Sequence, residues 1–99
     1  MRIIAFRTIK EFFEKPEYSD SETSLRAWYY EAKIADWKNS NELKQQYKNA
    51  CILGEGRVVF NIKGNDYRLV VAIDYDFQVI FIGFIGTQKQ YDKINAKTI

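Results

Sequence analysis

The spacing of apolar positions changes part-way along the chain. Before Cys51 they recur three and four residues apart, and from Arg57 onward they alternate singly with polar ones. The first pattern predicts helices and the second predicts strands. Arg2 to Phe6 alternates weakly and reads as a short opening strand. Thr8-x-x-Glu11 has the form of a capping box, and Ile9, Phe12 and Phe13 fall on one helical face. Pro16 ends that helix. Ser19-x-x-Glu22 is a second capping box, followed by a long helix to about Asp36 with Leu25, Trp28, Tyr29 and Ala32 on its inner face. Its other side carries Arg26, Tyr30, Lys33 and Trp37. That stripe reads either as core-boundary packing or as a contact surface for RNA or a partner helix. A third, short helix starts near Ser40 and covers Leu43 to Tyr47, and a short extended piece runs from Ala50 to Leu53.

In the second half Val58, Phe60 and Ile62 alternate with Arg57, Val59, Asn61 and Lys63. Gly64-Asn65 predicts a two-residue hairpin turn, which sets the register. Ile62 then faces Tyr67, Asn61 faces Arg68, Phe60 faces Leu69 and Val58 faces Val71. One face of the hairpin becomes Val58, Phe60, Ile62, Tyr67, Leu69, Val71 and Ile73, which suits a core. The other face gathers Arg57, Asn61, Lys63 and Arg68. A second turn at Tyr75-Asp76 leads into a third strand, Phe77 to Ile85, which would place Gly83 opposite Arg68. Gly86-Thr87 breaks that strand, and Gln88 to Ile94 predicts a last helical turn carrying Lys89, Tyr91 and Lys93. The expected architecture is α+β, three helices packed on one side of a small antiparallel sheet, in the order β-α-α-α-β-β-β-α.

At 99 residues this pattern points to one compact domain spanning 1–99. With 46% hydrophobic residues, 7 Phe, 7 Tyr and 2 Trp, it can fill a core without disulfides. The single Cys51 has no partner thiol and reads as a buried apolar filler. Histidine is absent, so no side chain titrates near neutrality without being perturbed. No cluster has metal-ligand spacing, and neither a metal nor a cofactor is expected. The opening MRIIAFRTIKEFFEK is too charged for a signal peptide or a membrane span, which points to a cytoplasmic protein without a membrane partner. The net charge of +2 argues weakly for nucleic acid, and it is unevenly placed. Residues 11 to 31 carry Glu11, Glu14, Glu17, Asp20, Glu22 and Glu31.

The polar hairpin face has the chemistry to hold a phosphate backbone. Arg68 can give two parallel hydrogen bonds to non-bridging oxygens, and Arg57 can take a neighbouring phosphate. The ordinary reading of Arg68 is a strand arginine paired with Asp66 or Asp74. Lys63 is either a phosphate anchor, a general base if its pKa is lowered, or a solvated turn lysine. Asn61 offers an amide to a base edge or a 2′-hydroxyl, or pairs with Arg68. Tyr91 can stack on a base, donate a proton, or pack the last helix onto the sheet. Lys89 and Lys93 are candidate backbone contacts.

The runs RAWYYEAKIADW, RVVFNIKGNDYRLVVAIDYD and VIFIGFIGTQKQYDKI together resemble the HigB-type toxins of the RelE-like superfamily of type II toxin–antitoxin systems. The hairpin NIKGNDYRLV and the closing GTxxxYDKI carry most of the likeness. The resemblance implies a metal-independent endoribonuclease, an mRNA interferase that inhibits translation by cutting messages on the ribosome. It also implies a helix-turn-helix antitoxin, HigA, as partner. It adds Asn65 to the RNA-binding residues Arg57, Asn61, Lys89 and Lys93, and supports Lys63, Arg68 and Tyr91 as catalytic. The chain departs from the pattern at Gly83, commonly arginine, and at Gln88, commonly histidine. Those departures imply, as the alternative, a catalytically weakened homologue that binds its antitoxin or RNA.

Overall fold

The hairpin is the organising element. In the computed structural model, which describes residues 1–99, strand β3 (Arg57–Ile62) pairs antiparallel with β4 (Tyr67–Asp74). The register puts Ile62 opposite Tyr67, Asn61 opposite Arg68, Phe60 opposite Leu69 and Val58 opposite Val71, as the turn residues required. The turn closes with the Asp66 N–H donating to the Lys63 carbonyl at 3.2 Å, and it uses positive φ at both Lys63 (53°) and Gly64 (65°). Every residue expected on the core face is buried, from Val58, Phe60 and Ile62 to Tyr67, Leu69, Val71 and Ile73.

Strand β1 (Arg2–Ile4) leads into α1 (Phe6–Phe13), a 3-10 segment (Pro16–Ser21), α2 (Glu22–Ile34) and α3 (Ser40–Gln46). Then come β2 (Cys51–Ile52), β3, β4, β5 (Val79–Thr87) and α4 (Gln88–Tyr91). The sheet has five strands in the order β1-β5-β4-β3-β2. It is mixed, which corrects the all-antiparallel expectation: β1 lies parallel to β5, with Ile3 beside Ile80. The intervening helices carry the chain across the core face from β1 at one edge of the sheet to β2 at the other. The alternation of a three-residue strand carries no information on that direction.

The helices supply the other half of the core. Ile9, Phe12 and Phe13 of α1 and Leu25, Trp28 and Ala32 of α2 are all buried. Neither capping box forms. Helix α1 starts earlier than Thr8, at Phe6, whose ring packs on Tyr29 at 4.4 Å. The Ser19 hydroxyl turns back to the Pro16 carbonyl within the 3-10 segment, so Glu22 opens α2 without it. Helix α2 stops at Ile34, where the Met1 amino group donates to the carbonyls of Ala32, Lys33 and Ala35. The outward stripe expected along α2 is broken. Trp37 is buried against Tyr47 and Phe60, Arg26 pairs with Glu22 and lies over Phe13, and only Tyr30 and Lys33 are exposed.

Two features of the second half differ from the alternation reading. The β4–β5 connection has four residues, 75–78, because the Asp74 carboxylate accepts the Phe77 N–H and Gln78 takes positive φ. A bulge then falls opposite Val70 and Val71, with Gly83 as the extra residue. The longer turn and the bulge together shift the register, so Arg68 faces Gly86 and not Gly83. Residues 92–99 also fold back over the second sheet face. Ala96 packs on Val59 and Val70, with Tyr91, Ile94, Leu53 and Phe84 around them. The sheet is therefore covered on both sides over part of its area. Cys51 is exposed on the edge strand β2, which overturns its reading as buried filler. No helix is long and apolar enough to cross a membrane.

Candidate functional site

Strand alternation places Arg57, Asn61 and Arg68 on the sheet face away from the helices. Arg68 is the best-placed anion donor among them. It makes no salt bridge with Asp66 or Asp74. Its Nη1 donates to the turn carbonyl of Asn65 at 3.0 Å and to its neighbour Tyr67 at 3.4 Å, which fixes the plane of the guanidinium. The other nitrogens have no partner in the protein. Gly86 across the strand keeps the space beside it narrow, since a Cβ there would come within 2.6 Å of both the Phe84 ring and the Gln90 amide.

Lys63 is not on this face. Its positive φ breaks the strand alternation and swings the ammonium to the helix side, where Nζ meets Asp20 at 3.0 Å and Asp66 at 3.3 Å. Asp20 also accepts a 2.5 Å hydrogen bond from the hydroxyl of Tyr67, a core-face residue. The hydrogen bond from Tyr67, then that from Lys63, holds the Asp20 carboxyl below the usual carboxylate range. The hydrogen bonds to Asp20 and Asp66 push the Lys63 amine above the usual lysine range, and that to Asp20 pushes the Tyr67 phenol up to about 12. With its amine engaged by two carboxylates on the helix side, Lys63 is turned away from the face that carries Arg68, an arrangement that does not favour a general-base role there. Sequence reading missed Asp20, because its partner lies 47 residues away in another element.

The pKa directions set a pH dependence. The stabilising contribution of Asp20 is in place above the usual carboxylate range and is lost as pH falls through its lowered pKa. That of Lys63 is in place below the usual lysine pKa and is lost as pH rises through the raised one. Asp20→Asn is therefore expected to flatten the acid limb of a melting-temperature profile below about pH 4. Parallel acid limbs in the two proteins would show that this carboxylate is not tied in solution.

The remaining candidates have distinct surroundings. Arg57 donates from Nε to the main-chain oxygen of Ile99 at 2.9 Å and from Nη1 to the main-chain carbonyl of Glu55 at 3.0 Å, so it clasps the C-terminal segment. Asn61 reaches the Asn49 carbonyl at 3.4 Å. Asn65 is at the exposed turn tip. Thr87 caps α4 through a complete capping box with Gln90, whose amide also reaches the Tyr18 hydroxyl. Tyr91 is half-buried and packs α4 onto the second cluster, while Lys89 and Lys93 are exposed and unpaired. Gln88 is tied to Asp92 at 2.7 Å. Gly83 lies under the end of the chain, where a Cβ would meet Ile99 Cγ2 at 2.7 Å and the Val70 carbonyl at 3.3 Å.

Three of the five ion pairs tie residues within α1, its C-terminal end, and α2, and the other two belong to Lys63. Arg68, Lys89, Lys93 and Lys97 in the second half make no ion pair, and neither do Arg2, Lys15, Lys33, Lys38, Lys44 and Lys48 in the first. Residues 21–94 match the HigB toxin family, the RelE-like toxic component of a toxin–antitoxin system. This chain belongs to that family. No curated protein matches the chain. As a HigB-family toxin it has an antitoxin as its implied partner, and the matched region takes in β3, β4, β5 and α4, the elements that carry Arg68, Lys89 and Tyr91.

Proposed function

We propose that this HigB-family chain is a metal-independent endoribonuclease that cuts messenger RNA on the ribosome, inhibits translation in the cytoplasm, and is neutralised by a helix-turn-helix antitoxin of the HigA type. The observation that carries this reading is Arg68, a guanidinium held in plane by the carbonyls of Asn65 and Tyr67 and free of carboxylates, in a chain of this toxin family. In RNA cleavage of this kind the 2′-oxygen attacks phosphorus and loses its proton, while the bond to the 5′-oxygen breaks and that oxygen gains one. Arg68 stabilises the negative charge on the non-bridging oxygens as the phosphate becomes crowded. Lys89 and Lys93 steer and hold the backbone on either side. Tyr91, in the helix that follows directly on the strand end facing Arg68, supplies the candidate proton donor. Lys63 contributes indirectly, by fixing the turn on which Asn65 and Arg68 sit.

The test is primer extension on a message translated with purified ribosomes, with and without the chain. Cut transcripts, together with growth arrest relieved by co-expressing the neighbouring gene product, support the reading. Uncut transcripts and normal growth favour a second reading, a weakened homologue that binds antitoxin or RNA without cutting. Two observations favour that second reading: Gln88 offers only an amide, bonded to Asp92, and Ile99 fills the space over Gly83. Gly83→Arg with Gln88→His is accordingly expected to raise cleavage several-fold, Ile99 moving aside to admit the new side chain. Unchanged cleavage would remove both positions from the account.

A further inference from the structure

We propose that the cleft at the free edge of β3 is a pocket for one unpaired base of single-stranded RNA. This rests on the RNA-binding reading above and deepens it. The cleft exists because β2 pairs only with Val58 and Val59, so the edge of β3 from Phe60 to Ile62 has no partner strand. The connection from α3 to β2 arches past that edge and leaves a cavity of about 310 Å³ lined by Tyr47, Lys48, Asn49, Phe60 and Asn61, among others. That is near the lower end of the range of about 300–1,000 Å³ for small-ligand sites, which suits one planar ring system.

The lining has the two properties that base recognition needs. One wall is an aromatic ring fixed at both ends: Tyr47 packs edge-on against Phe60 at 5.0 Å and Trp37 at 6.0 Å, and its hydroxyl donates to Glu31 at 2.5 Å. A ring already immobilised costs little further entropy when a base packs on it. The polar side carries amides that are free or weakly engaged. Asn61 makes only a 3.4 Å contact to the Asn49 carbonyl, and the Asn49 side chain has no partner across the cleft. An amide presents a donor and an acceptor side by side, which matches the edge of a base. A neutral sugar would also suit amides and an aromatic wall, but the cations decide for a nucleotide. Lys48 on the rim makes no ion pair, and Arg68 is the cross-strand neighbour of Asn61 on the same face. Cross-strand neighbours sit about 5 Å apart at Cβ, so a base in the cleft places its own or the adjacent phosphate within reach of Arg68.

The test compares a labelled single-stranded RNA heptamer with the same backbone carrying abasic residues, by fluorescence anisotropy over a range of salt. Asn49→Ala, at an exposed position, is expected to weaken binding of the intact heptamer about fivefold, to leave the abasic one unaffected, and to leave the salt dependence unchanged. Arg68→Ala is expected to weaken both and to reduce the salt slope by about 0.7 for each phosphate that Arg68 neutralises. If Arg68→Ala acts in this way while removal of the bases costs nothing, or if Asn49→Ala weakens both oligomers equally, the base pocket is wrong and the RNA reading stands. If the native chain binds neither heptamer, the base pocket is overturned, while the ribosome-dependent reading stands or falls on its own cleavage assay.

Discussion

Replacing Phe60 by alanine is expected to cost about 3–5 kcal/mol of stability, because the cavity it leaves cannot close. Phe60 is 1% exposed and lies at the centre of an aromatic group, with ring centroids of Tyr47 at 5.0 Å, Trp28 at 5.4 Å and Trp37 at 6.4 Å. Two of these neighbours are tied elsewhere by hydrogen bonds. The Trp37 Nε1–H donates to Gln46, the Tyr47 hydroxyl donates to Glu31, and Trp28 is enclosed in α2. Trp37 and Tyr47 cannot slide into the vacated space without breaking those hydrogen bonds, and Trp28, whose indole N–H has no partner, is held by packing alone. For a domain of this size the melting temperature is expected to fall by at least roughly 12 °C. Thermal unfolding followed by circular dichroism measures it. A variant that melts like the native chain would mean that Phe60 is not on the core face, and that the assignment of the two sheet faces is reversed.

Arg68→Ala is the corresponding prediction for activity. A charge-assisted hydrogen bond contributes about 1.5–3 kcal/mol, so ribosome-dependent cleavage is expected to drop at least about tenfold. The fold should survive. The side chain is half-buried, and the bonds it gives up are those to the carbonyls of Asn65 and Tyr67 at the edge of a turn. The melting temperature is therefore the control that separates loss of function from loss of structure. Arg68→Lys sharpens the result, since it keeps the charge and loses the planar fork. Partial activity in the lysine variant is expected if charge alone steadies the phosphate, and activity near that of the alanine variant if the paired geometry matters. Native turnover in Arg68→Ala would take this residue out of the site.

How much of this is legible without the structure varies from residue to residue. The pairing of Asn61 with Arg68 is readable, because Gly64-Asn65 makes a short turn and the strands on either side alternate without interruption. The buried faces of α1 and α2 are readable for the same kind of reason, a period matched to the element. Lys63 is misplaced by alternation because the pattern runs one residue too far. A residue with φ of 53° no longer belongs to the strand, and its side chain leaves the strand's face. Gly83 falls three positions from its expected register, two from a turn held by the Asp74 side chain, which has no glycine or proline to mark it, and one from a bulge whose only sequence sign is Gly83 itself.

The chain by itself determined the central hairpin, the faces of its two strands and the inner sides of the first two helices. These depend on contacts between residues close in sequence and on burial periods that a single element enforces. Only the tertiary structure decided the parallel placement of β1, the withdrawal of Lys63 to Asp20, the clasp of Arg57 on Ile99 and the covering of the second sheet face by the last residues. Each of these joins residues more than forty positions apart or separate elements. Its geometry depends on where whole elements come to rest against one another, and no local period encodes that.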